Sequence, residues 1–309
     1  MKIVFLGTAD FGIPSLEGLI KHNYTISGIV TTPPTRKGRG LKYIESPIAE
    51  FATHNNIKPV FKPADLKDEH FKRDLCKLNA DLFVVVAFRI LPPEIFNIPS
   101  IGTINIHASL LPKYRGPAPI QRAIEAGERE TGITIFQIEQ GIDTGNILLQ
   151  RSISINRFET APDIYSKLSK LGSDALIEVC TLSKKGKIIG KKQDLSKISK
   201  APKLLKSESG IDWNNTSEAI FNKIKAFKPF PGTYTLIYDK RVNIEWAIPI
   251  TSSDTFKPGT VVNVGIEYFD IQCGKGCLRI LEVKPEGKKR MSSRAFMNGT
   301  KILKDMIIK

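Results

Sequence analysis

At 309 residues the chain exceeds the size at which one hydrophobic core normally stops growing, so a large domain plus a smaller one is expected. Hydrophobic residues at 41% and charged residues at 25% exclude global disorder and leave enough apolar side chains for sizeable cores. A net charge of +15 points to a polyanionic partner, the alternative being a lysine-rich solvated surface. The first apolar run, 2–6, meets Gly7 at once and is too short for a leader or a membrane span; no later run is long enough either, so a soluble protein of a reducing cytoplasm is expected. Further β-branched runs at 25–31, 59–61, 82–88 and 103–107 alternate with helical patterns at 13–22, 47–55, 69–78, 118–126 and 162–182. That alternation predicts an α/β doubly wound, mostly parallel sheet with helices on both faces. An extended pair, 133–138 and 147–155, flanks a Gly-Ile-Asp-Thr-Gly turn.

From 183 to 209 the composition turns to Lys, Ser and Gly, as in an interdomain connector. The expected domains are 1–183, a basic linker at 184–206, and 207–309. In the last, a helix at 217–226 precedes short runs at 233–237, 241–248, 260–264, 268–273 and 277–283, the spacing of a small OB-like β-barrel. Cys76, Cys180, Cys273 and Cys277 form no disulfide framework. The pair Cys273 and Cys277 sits in a hairpin pattern without a His or second Cys pair to complete a zinc site, so no metal is expected.

The turn Gly7-Thr8-Ala9-Asp10-Phe11-Gly12 lacks both the dinucleotide fingerprint and the Gly-Lys-Ser/Thr of a P-loop, which argues against a nicotinamide dehydrogenase or NTPase. More informative is 101–112. Period two puts Thr103, Asn105 and His107 on one face of a strand and Ile104 and Ile106 on the other. Polar groups on a strand that should be covered on both faces suggest a crevice at its carboxyl edge; an interior His and Asn satisfied by neighbouring backbone is the alternative. Downstream come a rigid basic loop, Lys113-Tyr114-Arg115-Gly116-Pro117-Ala118-Pro119, and the loop Gly141-Ile142-Asp143-Thr144-Gly145. There Asp143 is either a turn former or a placed carboxylate.

In order and spacing, Asn105-x-His107, Ser109-Leu110-Leu111-Pro112, Arg115-Gly116 and Gly141-x-Asp143-Thr144-Gly145 resemble the signature of the folate-dependent formyltransferases. The resemblance extends to Phe5-x-Gly7-Thr8, Gly38-Arg39-Gly40, Pro119-Ile120-Gln121-Arg122 and Glu130-Thr131-Gly132. In the second domain, Ile211-Asp212-Trp213, Phe227-x-Pro229 and Gly287-Lys288-Lys289 are similar to the branch acting on methionyl-tRNA. It implies a Rossmann-like formyltransferase fold, 10-formyltetrahydrofolate as formyl donor, initiator methionyl-tRNA as acceptor, and a protein that works as a monomer without metal or membrane. It also implies acyl transfer in which Asn105 donates to an oxyanion, His107 donates or relays a proton, and Asp143 orients His107. Ser109, Leu110, Leu111 and Pro112 are carried over as folate-contacting backbone and 82–90 as an apolar wall for the pterin. Here 88–92 is one residue shorter than the family's usual Tyr-Gly-rich stretch. Arg39, Lys203 and Lys206 are carried over as tRNA contacts. A formyltransferase acting on an amino-sugar nucleotide shares the folate site and is the nearest rival; residues 207–309 argue against the glycinamide ribonucleotide enzyme. A catalytically silent RNA-binding protein is the rival of another class.

Overall fold

The computed structural model describes residues 1–37, 42–186, 189–251 and 256–309. The chain forms two compact units, one of Met1–Pro119, Glu130–Ser154 and Tyr165–Ala201, the other of Ile120–Arg129, Ile155–Ile164 and Pro202–Lys309. In chain order the elements up to the last long helix are β1 (Lys2–Gly7), α1 (Ile13–Lys21), β2 (Thr25–Val30), β3 (Thr35–Lys37), β4 (Lys42–Ile44), α2 (Pro47–His54), β5 (Val60–Phe61), α3 (Glu69–Lys77), β6 (Leu82–Val86), α4 (Pro93–Phe96), β7 (Gly102–His107), α5 (Pro119–Glu125), β8 (Glu130–Gln137), β9 (Ile147–Ser154) and α6 (Ala161–Lys184).

The first unit is built on a sheet of order β5-β2-β1-β6-β7-β8-β9. β1 pairs in parallel with β2 and β6, and β6 with β7. The two last strands run antiparallel to their neighbours, so the pair expected at 133–138 and 147–155 extends the main sheet. β1 shows why the sheet is covered twice. Val4 and Leu6 join Phe83 and Val85 in a core closed by Phe71 and Leu75 of α3 and Ile95 of α4. Ile3 and Phe5 point to the other face and are equally buried, and Phe5 meets Ile48 of α2 around Gly7 and Gly12. α6 lies on that second face, where Gly172 approaches Ile106 and Ile133. Ser169 and Ser173 donate to the carbonyls of Phe11 and Pro14, tying α6 to α1.

Local signals account for helix starts. Ser46 caps α2 by accepting from Ala49 N–H with Pro47 behind it, and Asp68 caps α3 by accepting from His70 and Phe71. Where the expected strand 82–88 should continue, the chain leaves the sheet at Val86 because Ala87 adopts φ 48°. The antiparallel pairing of β3 with β4 and the short α4 were not anticipated; these elements are too brief to show a period.

The second unit holds α7 (Ser217–Ala226), β10 (Tyr234–Ile237), β11 (Lys240–Ile250), β12 (Val261–Val264), β13 (Phe269–Gln272), β14 (Cys277–Pro285), β15 (Met291–Ser292) and α8 (Ser293–Gly299). Its antiparallel sheet runs β10-β11-β14-β13-β12, with β15 beside β14. β15 and α8 were not expected. Ile220, Phe221 and Ile224 of α7 enter one core with Trp213, Ile244, Phe269, Ile280 and Phe296. The tail bridges the two sheet edges: Val261 N–H donates to Met306 O at 2.9 Å, and Leu236 N–H to Lys309 O at 2.7 Å. Edge groups of β12 and β10 that would otherwise be open are thereby paired, and the curled sheet is OB-like. Cys273 and Cys277 are buried thiols, not joined in a disulfide, at the β13–β14 hairpin.

Candidate active site

β7 carries the polar face read from the sequence. Thr103 Oγ1 donates to Phe96 O at 2.7 Å, and Asn105 lies between Val85 of β6 and Phe136 of β8. Asn105 is half-buried, and among the described residues its carboxamide has no hydrogen-bond partner. His107 ends the strand with its side chain only 7% exposed and meets Phe136 edge-on.

Beyond His107 a buried hydroxyl shapes the chain. Thr134 of β8, opposite His107 in register and fully buried, donates to Ser109 O at 2.7 Å and accepts from Leu111 N–H at 3.0 Å. Gln150 of β9 donates to both Leu111 O and Thr134 Oγ1, and Ser109 Oγ donates to Lys113 O. Most polar backbone of Ser109, Leu110 and Leu111 is therefore engaged within the protein, Leu110 O accepting from Lys113 N–H. This turn is a stiff ledge beside Asn105 and His107. Its stiffness comes from side chains of neighbouring strands.

The next loop doubles back. Tyr114 at φ 59° directs its carbonyl at His107, whose Nε2 donates to it at 2.9 Å. Gly116 has φ 123°, and a Cβ there would stand 2.7 Å from Ala201 O, so both conformation and space demand glycine. Its N–H donates to Asp143 Oδ2 at 2.9 Å. That carboxylate, 14% exposed, faces the other ring nitrogen: His107 Nδ1 and Asp143 Oδ2 are 3.6 Å apart. Both nitrogens of His107 therefore look at acceptors. A neutral imidazole can serve one of them as donor, whereas an imidazolium serves both. Asp143 holds φ 54°, and the following Gly145 is packed so tightly that a Cβ would sit 1.7 Å from Gln137 O.

The residues 189–201 of the basic stretch belong to this unit and run along the two loops. Tyr114 N–H donates to Ser199 Oγ at 2.9 Å, Arg115 N–H to Ser199 O, and Ala201 N–H to Arg115 O. Gln193 reaches between the loops. Sequence reasoning missed Thr134, Gln150, Gln193 and Ser199. A signal existed for Thr134, a hydroxyl on the same strand face as Gly132 and flanked by Ile133 and Ile135 in a run that had to be buried; none existed for Gln193 or Ser199. The expected pterin wall splits in two: 82–86 is buried inside the sheet, and only 87–90 reaches the surface. There Arg89 donates to Pro63 O and Ala64 O and stacks on Phe88, while Ile90 is exposed.

Of the residues assigned to RNA, Arg39 lies outside the described residues. Lys203 and Lys206 are exposed on the second unit, Lys206 Nζ standing 5.9 Å from the Phe230 ring centre. The same unit carries a cleft of about 610 Å³ with Lys228, Lys284, Lys288, Lys289 and Arg290 on its walls. Lys228 stacks on Trp246, and burial together with Arg290 pulls its ammonium below the usual lysine range. Arg122, within the same unit, donates to both oxygens of Glu208. Among the described residues no helix is long and apolar enough to cross a membrane.

A half-buried amide and a His–Asp pair at the carboxyl edge of a mostly parallel sheet, followed by a closed antiparallel module, have counterparts in known proteins. Residues 1–180 match the family described as formyl transferase, and residues 203–301 match its formyl transferase C-terminal domain. The chain belongs to the formyltransferase family, enzymes that transfer formyl groups. It is 40% identical to the methionyl-tRNA formyltransferase of Caldanaerobacter subterraneus subsp. tengcongensis over 100% of both chains. It is 39% identical to that of Marinobacter nauticus over 97% of each. Among solved structures, the N-formyltransferase of Helicobacter canadensis, in complex with folinic acid and dTDP-3-aminofucose, is similar with a TM-score of 0.69. That likeness comes at 22% identity and covers 94% of this chain and 100% of that one.

Proposed function

We propose that this chain moves the formyl group of 10-formyltetrahydrofolate onto the free amino group of initiator methionyl-tRNA, in the cytoplasm and as a monomer. The observation that carries the chemistry is the meeting of Asn105, His107 and Asp143 at one sheet edge, with His107 and Asp143 3.6 Å apart and the Asn105 amide unbonded among the described residues. The choice of acceptor is supported by full-length relatives of that name at 40% identity and by the net charge of +15.

The folate donor supplies an already activated formyl group, so no covalent bond to the protein is required. Asn105 brings a fixed, neutral N–H pair to the oxygen that gains charge as the amine adds. His107 and Asp143 take the proton that the attacking ammonium must lose and return it to N10 of the folate as the bond between N10 and the formyl carbon breaks: His107 Nδ1 faces the carboxylate, and Tyr114 O steadies the opposite nitrogen. Ser109, Leu110, Leu111 and Pro112 form the ledge on which the folate is held. In this reading 1–183 does the chemistry, with 189–201 of the linker 184–206 packed along its loops, and 207–309 binds tRNA. Arg39, Lys203 and Lys206 grip the nucleic acid, joined by the basic cleft at Lys228 and Arg290. The test is formyl transfer by the purified protein from 10-formyltetrahydrofolate to charged initiator tRNA, run beside an amino-sugar nucleotide. Formylation of the sugar alone reverses the acceptor, and transfer to neither overturns the reaction.

A further inference from the structure

Gln193 lies in the lysine-rich stretch after the last helix of the catalytic unit, where nothing in the sequence marks it. Its Oε1 accepts from Arg115 Nη2 at 2.6 Å and Arg115 Nε at 3.2 Å. Its Nε2 donates to the carbonyls of Asp143 at 2.9 Å and Gly145 at 2.8 Å. One carboxamide thus uses its acceptor on the loop that carries Tyr114 and Gly116, and both its donors on the loop that carries Asp143. Only an amide has that inventory.

The place being held matters. Asp143 sits in the left-handed region at φ 54°, which a non-glycine residue keeps only when its surroundings enforce it. Its carboxylate is 3.6 Å from His107 Nδ1, beyond a good hydrogen bond, so a small shift either way decides whether the two groups couple. Gly116 N–H restrains the carboxylate end, and Gln193 restrains the backbone end. The loop of Tyr114 and Gly116 is also fastened through Arg115, whose N–H donates to Ser199 O.

We propose that Gln193 is a positioning residue that sets the spacing of Asp143 and His107 by clamping the Asp143 backbone to Arg115. It touches no reacting atom and acts through Asp143. The inference rests on the reaction proposed above and adds a residue to it.

The test compares Gln193→Ala with Gln193→Glu, after melting curves confirm folding. Glutamate keeps a partner for Arg115 but has no donor for the Asp143 and Gly145 carbonyls. Both variants should lose kcat by roughly ten- to a hundredfold, the range that loss of alignment costs, with KM for both substrates unmoved. In an Asp143→Asn background the added Gln193→Ala should change the rate by less than about twofold, since coupled residues are not additive. If Gln193 merely braces Arg115, Gln193→Glu keeps the wild-type rate and the proposal falls. A second readout needs no turnover: the His107 ring nitrogen resonances, assigned by their loss in His107→Ala, should move in Gln193→Ala toward their positions in Asp143→Asn. Unmoved resonances overturn the clamp even if the protein formylates nothing. A wild type that formylates no acceptor while the resonances do move overturns the reaction and leaves the clamp standing.

Discussion

Asp143 meets His107 from a loop beyond the next strand, its Oδ2 3.6 Å from the imidazole Nδ1 and anchored by Gly116 N–H from a third segment. One oxygen of the carboxylate is thus restrained, and in the proposed reaction it marks the place where a proton is taken from the attacking amine.

Removing the groups proposed to touch the reacting atoms should cut turnover sharply without unfolding the chain. Asn105→Ala and His107→Ala are each expected to lower kcat by about 10²–10³, the cost of one preorganised donor or proton-transfer group. Single-turnover formylation measures this, and melting temperatures should stay near wild type. A variant that keeps its rate removes that residue from the assignment.

Gly145 tolerates no side chain. An alanine Cβ would fall 1.7 Å from Gln137 O, a backbone atom that cannot rotate away. Gly145→Ala should therefore destabilise by about 1–3 kcal/mol or more in urea titrations. Because Gly145 O also binds Gln193, activity should drop further than stability alone accounts for.

Thr134 is a buried hub with one donor and two incoming N–H groups. Thr134→Val keeps the shape but leaves Ser109 O and Leu111 N–H unpaired, at about 1–3 kcal/mol for each such group. Thr134→Ser keeps the hydroxyl and should lie much closer to wild type. Equal stability of the two variants in denaturant titrations would show that the hydroxyl contributes nothing.

Glu208 offers a pH signature. Burial pushes its carboxyl up, but the Leu205 N–H and the Arg122 guanidinium outweigh that and hold it below its ordinary value. A folded value below the unfolded one means the contribution is complete above the ordinary glutamate range and is lost as pH falls through the depressed folded value. Glu208 is about a third exposed, so solvent screening limits the pair to about 1 kcal/mol or less. The stability gap between wild type and Glu208→Gln should be present at neutral pH and shrink in acid. A gap that widens in acid contradicts the pairing.

The proposed binding of tRNA through Lys203, Lys206 and the basic cleft should weaken steeply with salt. Replacing Lys203 and Lys206 by alanine should reduce the slope of log K against log salt by about one for each phosphate no longer neutralised. Gel-shift titrations at several ionic strengths would measure it, and a slope identical to wild type removes those lysines from the RNA-binding surface.

The legible parts of this molecule are those with a short-range cause. Alternating apolar runs foretold β1, β2, β6 and β7 with their covering helices, because burial on both faces of a parallel strand needs uninterrupted β-branched residues. Period two put Thr103, Asn105 and His107 on one face, and β7 keeps that face. Less was readable where cause and effect lie far apart. The end of β6 at Val86, the antiparallel attachment of β8, and the brief β15 and α8 follow from packing partners that a local window cannot see.

The sequence by itself determined the layers, the OB-like module and the identity of the chemical groups, since side-chain type and hydrophobic period are properties of neighbouring residues. Which groups meet was decided by the tertiary structure alone. His107 faces Asp143 because the β7–β8 pairing, the hydroxyl of Thr134 and the amide of Gln193 bring remote loops to one point. Hydrogen bonds satisfied between distant segments leave no period in the chain that makes them.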